Sequence, residues 1–221
     1  MIDFSNYDVF IFDCDGVILD SNKLKSEAFE HALTLEDKSD VEMLIQYHKD
    51  NGGISRYEKF DYFYTEICPS LHKELKVKQA LESFAQKVSK DMLRVDLIPG
   101  ILDFLKRISA LNKKIFVNSG SDETELNDIF KARNLASHFE KIFGSPNNKI
   151  QNIERISYFN KISERAIFFG DSISDHNAAK EFGMEFVFIS GYSEWKHPDP
   201  SIKTTYRYPT GDTPAGAHCL D

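Results

Sequence analysis

The chain has 221 residues, 41% hydrophobic and 13% aromatic with 18 Phe, which is enough apolar material for a packed core without disulfide or zinc staples. Its 27 Lys and Arg against 35 Asp and Glu leave a net charge of −8, which repels phosphate backbones and anionic lipid and argues against nucleic-acid and membrane-surface roles. The three cysteines form no CxxC pair, no apolar run reaches the ~20 residues of a membrane span, and the opening MIDFSNYD lacks a signal peptide's basic start, so a cytoplasmic protein with no membrane partner is expected.

Val9–Phe12 is the first short apolar run, with the character of a strand buried on both faces. No convincing strand follows between about Ser21 and Leu97. Helical stretches are predicted instead at about 22–35, 40–49, 55–67 and 70–93, broken by Gly52-Gly53 and Pro69. Pro99-Gly100 opens an amphipathic helix with Ile101, Leu102, Leu105, Ile108 and Leu111 on its apolar side, ahead of a strand over Ile115–Val117. A short strand at Lys141–Phe143, a helix opening at Lys149, a strand at Ala166–Phe169, a helix from Asp175 to Gly183 and a strand at Phe186–Ile189 complete the alternation. This rhythm predicts an α/β fold, a doubly wound parallel sheet. Residues 1–20 and 98–221 form its core and 21–97 an inserted helical module. From about 193 onward, a stretch holding the single Trp and four of the seven prolines is expected to be loop-rich.

Four places can carry chemistry. Asp13 and Asp15 follow the first strand directly, and in extended backbone their spacing aims both carboxylates to one side. Two carboxylates about 5 Å apart repel unless a cation or proton separates them, and Gly16 permits the turn that brings backbone amides around the same point. Taken alone, the pair also fits a turn capped by Asp15. Asp171 and Asp175 follow the strand at Ala166, where a helix start would place both near its positive end; capping by Asp171 or Ser174 fits as well. Ser119-Gly120 ends another strand with a hydroxyl and a glycine, as an anion cradle requires or a simple turn allows. Lys149 supplies the fixed cation that an acidic site handling a phosphate dianion needs, although a lone lysine is usually solvated. Cys14, between the two aspartates, points the other way in extended backbone and reads as an inert buried thiol.

In this order, Asp13-x-Asp15-Gly-Val, Ser119, Lys149 and Gly170-Asp171-Ser-x-x-Asp175 resemble the four motifs of the haloacid dehalogenase-like hydrolase superfamily. The helical insertion resembles the cap of the branch containing phosphoglycolate phosphatase and beta-phosphoglucomutase. Lys149 is followed by Ile150, where the family often has proline. The resemblance implies Asp13 as nucleophile and Asp15 as acid and base. It implies Ser119, Gly120 and Lys149 as phosphate ligands, and Mg2+ held by Asp13, the backbone carbonyl of Asp15 and Asp171, with Asp175 joining directly or through water. The second aspartate favours phosphate esters over halides. The implied activity is therefore a Mg-dependent phosphatase for a small phosphorylated metabolite; a phosphomutase and a non-catalytic binding protein on the same fold are the alternatives. The segment from Asp50 to Phe60 is similar to phosphatases associated with sugar-acid or surface-polysaccharide synthesis, which implies a sugar or sugar-acid phosphate. Within it, Arg56 suits a carboxylate or second phosphate of the substrate, or else an ordinary ion pair with Glu58 or another acid.

Overall fold

The structure is a computed structural model that describes residues 2–160, 162, 165–196, 202 and 206–209. Five strands, β1 (Val9–Phe12), β2 (Lys114–Asp122), β3 (Lys141–Ser145), β4 (Ala166–Gly170) and β5 (Glu185–Phe188), pair in the order β3-β2-β1-β4-β5, all parallel. β1 is buried along its whole length because it is the central strand, covered on both faces. Phe10, Phe12, Val117 and Phe169 share one apolar cluster with Ile101 and Phe104 from a helix over Ile101–Ala110 and with Leu126 and Phe130 from one over Glu123–Ala132. Ile11, Phe116 and Phe168 face the other way, onto Ile153 and Ile156 of a helix at Lys149–Ser157 and Ala178 and Ala179 of a helix at Ile173–Glu181. Phe12 and Phe169 stack at 4.7 Å between centroids, with Phe104 edge-on to Phe169 at 5.4 Å.

The chain leaves the sheet after β1 and builds α1 (Asn22–Ala32), α2 (Lys38–Asp50), α3 (Arg56–Tyr62), a π-helical turn over Phe63–Ile67 and α4 (Lys73–Asp91) before returning. The four later helices just described are α5 to α8 in chain order. Asp37 and Ser55 cap α2 and α3 by accepting from Ser39 N and Glu58 N, which fixes where each helix starts. Phe29, Phe60 and Phe84 fill the centre of the insertion, Phe29 lying 5.1 Å from Phe60 and 4.7 Å from Phe84 between centroids. The two crossings run side by side: Asp20 N donates to Asp96 O and Ile98 N to Ile18 O, both at 2.9 Å.

Two elements depart from the sequence reading. β2 continues beyond Val117 to Asp122, because Asn118 and Asp122 still pair with β3, on either side of a register irregularity. α6 was not anticipated, although Asp122 accepts from Glu125 N as its cap and Leu126, Ile129 and Phe130 mark its buried face. The stretch expected to be loop-rich falls largely outside the described residues. Of it, Tyr206 and Tyr208 pack against Phe104.

Candidate active site

Register places the acids. β1 and β4 pair with Phe12 opposite Phe169, and Asp13 N donates to Phe169 O at 2.9 Å, so both strands release their aspartates at the same edge. Ligand atoms of Asp13, Asp171 and Asp175 lie within 4.8 Å of one another, all three residues buried. Gly16 makes room for this: its φ is +74°, and a Cβ there would come within 2.9 Å of the Asp171 carboxylate carbon. Asp175 is both a member of the cluster and part of the start of α8. Its Oδ2 accepts from Ser172 N at 3.1 Å and Ser172 Oγ at 2.6 Å, so Ser172 and Asp175, not Asp171 or Ser174, cap this helix.

Lys149 is the first residue of α7, set by an Asn148–Gln151 capping box. Its ammonium lies 2.8 Å from Asp13 Oδ2 and also pairs with Asp175 Oδ1. Burial opposes its charge, but the Asp13 and Asp175 carboxylates outweigh this and hold its pKa above the ordinary lysine value. Burial, with Asp175 adding and Lys149 opposing, pushes Asp13 up to about 7, and burial beside Asp13 and Asp175 pushes Asp171 well up too. Three buried carboxylates around one ammonium leave negative charge uncompensated. An all-oxygen donor set of this kind fits a hard divalent cation.

The Asp15 carboxylate, expected to act as acid and base, is held apart from these three. Ser21 Oγ donates to it at 2.5 Å and Ser121 Oγ at 2.9 Å, while the Lys25 ammonium stands 3.8 Å away. Cys14 is buried as expected. Its thiol is pushed well up by burial and by the Asp15 charge, while its amide donates to Asp13 Oδ1 at 2.7 Å.

A cavity of about 70 Å³ joins Asp13, Asp15 and Asp171 to Lys25, Lys49 and Lys59 of the helical insertion. Gly120 and Ser121 line it, whereas Ser119 does not: Ser119 is buried, its hydroxyl accepting from Ser121 N at 3.1 Å. Gly120 meets the insertion directly, since a Cβ on it would stand 2.8 Å from the Gly53 carbonyl carbon. Arg56 lines the cavity too, but its guanidinium is not free. It donates to Glu125 Oε2 of α6 at 2.9 Å and lies over the Phe84 ring at 5.3 Å, so it joins insertion to sheet layer as one of the ion pairs left open in the sequence reading. Tyr57 repeats the link, donating to Asp122 Oδ2 at 2.8 Å.

Sequence reasoning missed Ser121, Lys25, Asn22 and Lys59. Ser121 was within reach, two residues past Ser119 on the same face of an extended strand. Asn22 donates to Asp171 Oδ2 at 2.7 Å and Lys25 donates to Ser121 Oγ at 2.9 Å, contacts that only the packing of α1 onto the sheet edge reveals.

The sequence model for haloacid dehalogenase-like hydrolases matches residues 10–189. A curated relative from Thermotoga maritima, described as a phosphorylated carbohydrates phosphatase, is 26% identical over 192 residues, which is 80% of this chain and 82% of that one. Among solved structures, one described as a predicted phosphoglycolate phosphatase from Haemophilus somnus superposes with a TM-score of 0.73 at 17% identity, covering 92% of this chain and 95% of its own. A beta-phosphoglucomutase from Clostridium difficile gives 0.65 at 22% identity, covering 84% and 86%. With the four motifs on one sheet edge and a match over most of its length, the chain belongs to the haloacid dehalogenase-like hydrolase family, as a phosphatase-type hydrolase with the fold of the phosphoglycolate phosphatase and beta-phosphoglucomutase branch.

Proposed function

We propose that this enzyme hydrolyses the phosphate monoester of a small phosphorylated carbohydrate, a sugar or sugar-acid phosphate, through an aspartyl phosphate on Asp13 with Mg2+ as cofactor. The observation that carries the reading is that Asp13 and Asp15 line one small cavity, Asp13 paired with the Lys149 ammonium and Asp15 held by Ser21 and Ser121. The description of the Thermotoga relative supports the carbohydrate class.

In this mechanism the Asp13 carboxylate, oriented by the Cys14 amide on Oδ1 and the Lys149 ammonium on Oδ2, attacks phosphorus. The bond to the ester oxygen breaks and that oxygen takes a proton from Asp15, which Ser21, Ser121 and Lys25 hold in place. Asp15 then removes a proton from water, whose oxygen displaces Asp13 from phosphorus and releases inorganic phosphate. Lys149, the Gly120 amide and Ser119 hold the phosphoryl oxygens in this reading, with Ser121 beside them. Asp13, Asp171 and Asp175 would hold the magnesium, which when bound would offset the negative charge of carboxylates and phosphate so that they can approach.

Residues 21–97 act as a cap over a core formed by 1–20 and 98–221. Substrate enters when cap and core separate, and water is excluded when they close over the cavity that both line. Turnover of p-nitrophenyl phosphate with magnesium, and its loss in excess EDTA and in Asp13→Asn, tests the reading. Hydrolysis that persists in either condition overturns it. Release of inorganic phosphate from glucose 1-phosphate, rather than its conversion to glucose 6-phosphate, separates hydrolysis from mutase chemistry.

A further inference from the structure

Four cations of the insertion line the cavity, and three of them have acidic partners. Lys25 stands near Asp15, Lys49 lies 3.9 Å from Glu194, and Arg56 is bonded to Glu125. Lys59 differs. It is 2% exposed, and among the described residues its ammonium has no ion-pair partner; its hydrogen bond is to His48 Nδ1 at 2.8 Å. An ammonium has three donors, so this bond leaves it under-satisfied. With Nδ1 accepting, His48 carries its proton on Nε2, and that atom is itself buried without a partner. Two adjacent residues on the wall of one cavity thus hold unmet donors.

A buried charge without an acid is costly, and an apolar side chain beside Phe29 would avoid that cost. Lys59 Nζ lies over the Phe29 ring at 5.7 Å, a contact too weak to replace a counter-ion. Burial, opposed by Asp15 and Glu194, lowers its pKa to about 7, and burial with the neighbouring lysines keeps His48 neutral. Both groups gain from an anion arriving in the cavity; among the described residues that line it, the acids are Glu194, already beside Lys49, and Asp13, Asp15 and Asp171.

We propose that Lys59 and His48 form a subsite for a second anionic group, a carboxylate or a second phosphate, carried by the part of the substrate that leaves, so that the enzyme selects phosphomonoesters bearing one. This rests on the phosphatase reading above and adds the chemical class of the leaving group. Lys59 is a specificity residue that touches substrate away from phosphorus.

Matched pairs test it. Phosphoglycolate and ethyl phosphate differ by a carboxylate; glucose 1,6-bisphosphate and glucose 1-phosphate differ by a second phosphate. In the wild type, kcat/KM for the doubly anionic member of at least one pair should exceed that of its partner by about tenfold or more, and which pair does so identifies the anion. Lys59→Met should reduce that ratio about tenfold, mainly through KM, and Lys59→Arg should retain more of it. Equal treatment of both members in both pairs, or a preference that survives Lys59→Met, overturns the subsite. Calorimetric binding of the same four compounds to Asp13→Asn protein, with and without Lys59→Met, needs no turnover. If the wild type hydrolysed none of them nor p-nitrophenyl phosphate, the phosphatase reading alone would fail and these affinities would still decide for or against the subsite.

Discussion

Lys59→Met should make the protein more stable, and more so at low pH. The Lys59 ammonium is pushed from its ordinary 10.5 to about 7 by burial. At about 1.36 kcal/mol per pH unit, that gap puts the cost of keeping it charged below pH 7 at about 5 kcal/mol, an upper figure. Methionine removes the cost but leaves His48 Nδ1 unpaired, which returns about 1–3 kcal/mol and leaves a net gain of about 2–4 kcal/mol. For a chain of this length that is a rise in Tm of about 5–15 °C. The sign of the pH dependence follows from proton counting. Between about pH 7 and 10.5 the unfolded chain holds the Lys59 proton and the folded one does not, so wild-type stability rises with pH and the variant's advantage shrinks. Thermal melts monitored by circular dichroism at pH 6 and pH 9 should show a difference near its maximum at pH 6 and smaller by about 2–3 kcal/mol at pH 9. A variant that melts below the wild type at pH 6, or a difference that does not change with pH, would refute the reasoning.

Asp13→Asn should lower kcat on p-nitrophenyl phosphate by about a thousandfold or more while raising Tm in EDTA, since it removes one of three mutually repelling carboxylates; an active variant sinks the nucleophile assignment. Magnesium should raise the wild-type Tm, calcium should bind but support turnover poorly, and Asp171→Ala should abolish most of the magnesium gain, all measurable by differential scanning fluorimetry. Gly120→Ala places a methyl group against the Gly53 backbone and should reduce kcat/KM by about tenfold to a hundredfold with little change in secondary structure, because the insertion can no longer seat on the sheet edge. Arg56→Ala strands a half-buried Glu125 and should destabilise by about 2–3 kcal/mol; the double variant with Glu125→Gln should recover part of that loss in chemical denaturation, and strict additivity would argue against the pair.

The strands were legible because each is a short apolar run that ends in a chemically distinctive residue, and because buried parallel strands need no alternation to be recognised. Asp13, Asp171, Asp175 and Lys149 follow from that, since parallel strands deliver their C-terminal residues to one edge whatever the details of packing. Arg56 shows the limit. The sequence offered Glu58 as a local partner, but the acid that engages it is Glu125, 69 residues away on a helix that the reading had not located. Lys59 and His48 were illegible for the same reason: they belong to different helices, and nothing local says that they meet over Phe29. That Ser21 and Ser121 hold the Asp15 carboxylate was likewise illegible, since they come to it from the start of α1 and from β2.

The paired crossings at Asp20–Asp96 and Ile98–Ile18 bring the insertion's first and last residues together, as the ends of a long excursion that begins and finishes at one spot. A module with adjoining ends can be exchanged for another of different length without moving any strand, because the chain enters and leaves it through one short ribbon, provided its contacts with the sheet layer, among them Arg56–Glu125, Tyr57–Asp122 and Gly53–Gly120, are kept or replaced. Asp13, Lys149, Asp171 and Asp175 stand at the sheet edge and Lys59 and His48 on the insertion, so the two groups lie on separate pieces of chain. Grafting residues 21–97 onto a relative's sheet, or a relative's insertion onto this one, is therefore an economical route to new leaving-group preferences, with the ribbon and the Gly53–Gly120 contact as the junctions to preserve.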